Sequence, residues 1–184
     1  SIVLDPYDIY QMNKHLGVKF EELLNHKISL HAEEGLILPN LKMQGKEDGC
    51  AFLNEEGRCT IHAFRPGFCR LFPLGRIYED GSFSYYLQSQ ECTKANRTKV
   101  KVNKWLGISE LKQYENFVNE WHYFLKDTKA LLLRLSDAQL NQELSMYLLN
   151  RFYTTAFDLE IDFYKQFDER MTQMKKLIYT LGRQ

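Results

Sequence analysis

Apolar side chains recur at three- and four-residue steps through most of the second half of the chain and break into short runs through the first half. From Ser109 onward, Leu111, Tyr114, Phe117, Val118, Trp121, Phe124 and Leu125 fall on one face of a long helix. Ser136 and Gln139 form a capping-box pattern that opens a second helix carrying Leu140, Leu144, Tyr147, Leu148 and Phe152. A third carries Leu159, Phe163, Phe167, Met171, Met174, Ile178 and Leu181, with Gly182 at its stop. Short connections make sequential helices antiparallel neighbours, so residues 109–182 read as a helical hairpin or three-helix bundle.

The first half is built differently. Asp5 is placed to cap a helix whose first position is Pro6, with Ile9, Met12 and Leu16 on one face and Gly17 at the end. A short helix follows from Lys19 to Asn25. Ile28–His31 and Leu36–Leu38, separated by Glu33-Glu34-Gly35, read as a hairpin whose second strand Pro39 marks as an edge or an end. Glycines and prolines then cut residues 45–92 into short pieces, and Leu74–Tyr78 with Ser82–Leu87 flank Glu79-Asp80-Gly81 as a second hairpin. The expected class is α+β: small helices and short β-hairpins around a cysteine site, followed by an antiparallel helical bundle. The division falls at residues 1–106 and 107–184, the second region packed on the first as one compact domain.

Composition narrows the function classes. The chain has 184 residues, 44% of them hydrophobic and 14% aromatic, enough for a sizeable core. Lys plus Arg and Asp plus Glu balance at 24 each, so no basic excess points to nucleic acid. No apolar run reaches membrane-spanning length and no export signal is visible, although the sequence begins at Ser1. The cytoplasm is the expected compartment, with no nucleic acid and no membrane as partner.

All four cysteines, Cys50, Cys59, Cys69 and Cys92, lie in the Gly/Pro-broken stretch. In a reducing compartment such a cluster points to metal ligands or free thiols rather than to disulfides. The spacing Cys-x8-Cys-x9-Cys-x22-Cys is neither a paired-knuckle zinc ribbon nor a CxxC redox motif. Four thiolates can close a tetrahedral zinc site or hold an iron–sulfur cluster, and softness does not separate the two. Arg58, Arg65, Arg70 and Arg76 are interleaved with these ligands and can offset their charge, or else pair on the surface with Asp48, Glu55 and Glu56. His62 is an alternative fourth ligand to Cys92.

The same stretch carries a resemblance. Cys50-Ala51-Phe52-Leu53, Gly57-Arg58-Cys59-Thr60-Ile61-His62 and Arg65-Pro66-Gly67-Phe68-Cys69-Arg70-Leu71-Phe72-Pro73 resemble the bacterial cysteine-cluster (CxxCxxCC) proteins, described as zinc- or iron-chelating. The resemblance spans about residues 1–105, and the upstream CxxCxxCC-like group of that family is absent from this sequence. It implies metal binding through Cys50, Cys59 and Cys69, with Cys92 less directly matched. It also implies a link to relatives in which iron–sulfur clusters are proposed, among them a flagellin-lysine methylating enzyme.

Other candidates are weaker. His15, His26 and His31 form no pattern, and His122 beside Trp121 reads as a boundary histidine. Tyr85 and Tyr86 can line a pocket beside the metal or simply pack. Asp158, Glu160 and Asp162 suit a helix start, and Met171 and Met174 sit at core spacing. No Ser-His-Asp order, P-loop or dinucleotide fingerprint is present. Two functions follow: a protein holding zinc or an iron–sulfur cluster, in its structural form an adaptor for a protein partner, and a metal-dependent enzyme modifying protein side chains, methyltransferase-like by analogy to the relatives. A disulfide-stabilised exported domain is a third, less favoured reading.

Overall fold

The computed structural model describes residues 2–45, 48–91, 98–135 and 137–183. Helix α1 (Pro6–Leu16) opens on a reciprocal box. The Asp5 carboxylate accepts the Asp8 N–H at 2.8 Å, and the Asp8 carboxylate accepts the Asp5 N–H at 3.1 Å. Gly17 ends α1 in the left-handed conformation that glycine adopts without a Cβ clash. After α2 (Phe20–His26), strands β1 (Ile28–Glu33) and β2 (Leu36–Leu41) pair in antiparallel register around a two-residue turn, Glu34-Gly35, with both φ angles positive. Pro39 does not end β2. It sits opposite Leu30, and its carbonyl accepts the Leu4 N–H at 2.9 Å while the Leu41 N–H donates to Ile2 at 2.8 Å. The N-terminal segment runs along this edge and asks of Pro39 only the carbonyl that a proline retains.

Strands β3 (Met43–Gln44) and β4 (Gly49–Cys50) form a minimal hairpin, followed by a 3-10 turn (His62–Phe64) and the short helix α3 (Gly67–Leu71). Strands β5 (Leu74–Glu79) and β6 (Ser82–Leu87) form the expected second hairpin, turning through Asp80-Gly81. A later helix clamps its tip: Tyr123 Oη accepts from the Gly81 N–H, and Asn119 donates to the Gly81 carbonyl at 2.7 Å.

Helices α4 (Val102–Leu106), α5 (Leu111–Arg134), α6 (Ala138–Leu149) and α7 (Phe163–Leu181) complete the described elements. The α+β class is as expected, with three corrections within the helical part. Asp137 caps α6, its carboxylate accepting the N–H groups of Gln139 and Leu140; the expected box residue Ser136 lies outside the described residues. Helix α6 does not continue through Phe152 but widens into a π turn over Asn150–Thr154. The wider turn brings the adjacent Phe152 and Tyr153 both into the core. Helix α7 starts at Phe163 rather than near Leu159, because Asp162 caps it and Leu159 is exposed. The core is continuous and aromatic. Tyr7 of α1 stacks on Tyr164 at 5.7 Å, and Phe117 of α5 meets Phe167 of α7 edge-on at 4.7 Å. No helix among the described residues is long and apolar enough to cross a membrane.

Candidate metal centre

Three of the four predicted ligands come from three different local structures. Cys50 ends β4, opposite Met43. Cys59 pairs backbone to backbone with Leu53 across the turn that Asn54 organises. The Asn54 carboxamide accepts the N–H groups of both Glu56 and Arg58, and its backbone N–H donates to the Arg58 carbonyl. The chain therefore leaves at Leu53 and returns at Cys59 beside its starting point. The next residue, Thr60, fixes the return by donating both its N–H and its hydroxyl to the Phe52 carbonyl. Lys27, from the end of α2, reaches across and donates to the Ala51 carbonyl at 2.6 Å, with its ammonium over the Phe52 ring.

Cys69 sits in α3, whose first N–H, that of Gly67, donates to the buried Asp8 carboxylate at 2.8 Å. Arg70 anchors the helix. Its guanidinium donates to the carbonyls of Ala63, Arg65 and Leu106, tying the 3-10 turn, α3 and α4 together. Five residues are too short to hold a helix by themselves; these outside bonds hold α3.

Cys50, Cys59 and Cys69 are all half-buried free thiols packed against the core. Burial pushes the Cys69 thiol up to about 12, and negative charge on Asp8, Cys50 and Cys59 adds to the rise, while Arg65 opposes it. Among the described residues, no group of three His, Cys, Asp or Glu side chains stands ready at metal-binding distance. Cys92 lies outside the described residues. By donor chemistry, thiols suit a soft or borderline metal.

The arginines divide. Arg58 is exposed and pairs with Glu56 at 3.5 Å, the surface alternative. Arg65 and Arg70 flank Cys69. Arg76 lies over the rings of Phe83, Tyr85 and Tyr114 and within electrostatic reach of the Asp5–Asp8 pair, whose carboxyls burial pushes up and Arg76 draws back down. His62 is exposed on the 3-10 turn. His15 stacks on Phe64, His31 contacts the Ser29 hydroxyl and His122 stacks on Tyr78, so each has a structural partner away from the thiols. Of the two candidate tyrosines, Tyr86 lines a groove of about 460 Å³ beside Cys69, with Phe68, Phe72, Leu74 and Arg76 also in its wall. Tyr85 packs edge-on against Phe83. Asp8 and Gly67 carry no signal in the sequence: they are 59 positions apart, and only the fold joins them.

The sequence model of one protein family, described as CxxCxxCC, "Putative zinc- or iron-chelating domain", matches residues 1–105. Nothing among curated proteins or solved structures matches the chain.

Proposed function

Because this chain belongs to the CxxCxxCC family over residues 1–105, we propose that it holds zinc or an iron–sulfur cluster through Cys50, Cys59 and Cys69, with Cys92 as the fourth ligand. One observation supports this reading: Cys50, Cys59 and Cys69 are half-buried free thiols packed on the core, and negative charge on the first two reaches the third. A bound zinc would cross-link these loops; a cluster would add electron-transfer chemistry. The protein's own contribution is to position the thiols, through the Asn54 turn, the Lys27–Ala51 bond and the Arg70 bonds to three carbonyls. The test is elemental analysis with an absorption spectrum on protein purified without oxygen. Iron with sulfide and visible absorption identifies a cluster, colourless protein with one equivalent of zinc identifies the structural form, and metal-free folded protein overturns the reading.

A second reading, a metal-dependent enzyme that modifies protein side chains, draws on the groove beside Cys69. A structural site needs no adjacent cavity, whereas an enzyme needs one for its substrate. Mass spectrometry of a lysine-containing peptide, incubated with metal-loaded protein and a methyl donor, tests it. A peptide that gains no mass removes the methyltransferase form and leaves an adaptor with a protein partner, in the cytoplasm, as the role.

A further inference from the structure

A second cavity, of about 150 Å³, lies on the other side of α3, between α1, the 3-10 turn and the loop that enters α5. Tyr7, Asp8, Arg65, Arg70, Ser109 and Tyr114 line it. The space equals that of about five waters. Its polar groups are unevenly used. Asp8 is occupied by two backbone N–H groups, those of Gly67 and Asp5. Arg70 lends the cavity its charge while its guanidinium is bonded to carbonyls. Arg65 Nε is buried with no hydrogen-bond partner, and no acidic side chain among the described residues pairs with either arginine. Tyr114 is 1% exposed; its hydroxyl oxygen interacts with the Arg76 guanidinium, and its hydroxyl hydrogen has no acceptor. It is held over Gly67, where a Cβ would overlap it.

The geometry points to a binding site for a small carboxylate, held between Arg65 and the Tyr114 hydroxyl. Two unspent donors face one small polar space with two guanidinium charges at its wall. A buried donor without an acceptor costs free energy that an anionic oxygen recovers. Carboxylate is favoured over phosphate or sulfate on two grounds. A planar group with two oxygens matches one guanidinium edge and one phenol, and a dianion would meet the Asp8 carboxyl in the same cavity. The cavity is separate from the groove beside Cys69, although Arg65 also acts electrostatically on that thiol.

The probes are acetate and propionate, titrated into the full chain by calorimetry and followed by amide NMR shifts of Gly67, Gly107 and Ser109. Saturable binding is expected. Arg65→Gln should weaken it about tenfold, the loss of a charged hydrogen bond. Tyr114→Phe should weaken it severalfold while leaving the ring in place. Tyr114→Phe should keep its metal by elemental analysis, which separates this cavity from a carboxylate bound at an open metal position. If Arg65→Gln does not fold, Tyr114→Phe alone decides. Absence of saturable binding, unchanged affinity in Tyr114→Phe, or tighter binding of sulfate or methyl phosphate than of the two acids would each overturn the proposal.

Discussion

Single residues set the site's tolerances. Cys50→Ser and Cys69→Ser should each lower bound metal and the denaturation midpoint; full metal retention in both variants would remove the thiols from the site. Gly67 is constrained by its neighbour rather than by its backbone. Gly67→Ala forces a methyl group into the Tyr114 hydroxyl, an overpacking expected to cost about 1–3 kcal/mol. Adding Tyr114→Phe should recover part of that loss in chemical denaturation, and no recovery would place the strain elsewhere. The Asp5–Asp8 pair gives a pH signature. Burial raises both carboxyls in the folded protein, Asp8 to about 6 from an ordinary 3.8. The folded state then holds more protons than the unfolded chain, so this contribution is present below the ordinary aspartate range and is lost as pH rises towards 6. Asp8→Asn should flatten that part of the stability profile; an unchanged slope would assign it to other groups. The cysteine cluster and the Arg-Pro pair were legible as residues. The Asp8–Gly67 bond was not, because a buried carboxylate beside a helix cap reads in the sequence as the cap alone.

Elements of regular period were legible and short ones were not. Helices α1, α5 and α7 and both long hairpins carry enough repeats, or a sufficiently marked turn, to announce themselves. Helix α3, only Gly67–Leu71, carries no period to read, and its Cys69 was expected in a loop. The π turn after α6 escaped because Phe152 continues an α-helical stripe, while the adjacent Tyr153, which donates to the Leu4 carbonyl at 2.9 Å, does not. Arg170 holds this turn from α7. Its guanidinium donates to the carbonyls of Arg151, Thr155 and Ala156 and lies 3.7 Å over the Phe157 ring. Arg170→Met keeps the length of the side chain but strands these carbonyls, and should cost at least about 2 kcal/mol in urea denaturation. A loss of only a few tenths of a kcal/mol would show that water replaces the guanidinium there.

At the scale of the molecule, order is unevenly supported. Residues 111–134 and 163–181 rest on an aromatic core, whereas residues 43–45 and 48–72 rest on two two-residue strands, turns and a five-residue helix. Metal held by the thiols would stabilise the second group far more than the first. Chelation should therefore raise amide hydrogen exchange across residues 43–72 while leaving α5 and α7 protected. Uniform loss of protection would mean that the metal supports the whole fold, and no change would mean that it supports none of it. The α+β class followed from the contrast between a segmented first half and a periodic second half. The aromatic seam joining α1 to α5 and α7 did not, since nothing in the periodicity of α1 says which helices cover it.

The course of the first few residues has a practical side. Ile2 and Leu4 are bonded along β2, and Ile2 also lines the groove beside Cys69. At the other end, Gly182 packs beside Leu131, roughly 25 Å along α5 from Tyr114 at 1.5 Å per residue. A histidine tag fused ahead of Ile2 would hang its imidazoles beside Cys69 and compete for any metal held there, whereas one placed after Arg183 would leave that thiol alone.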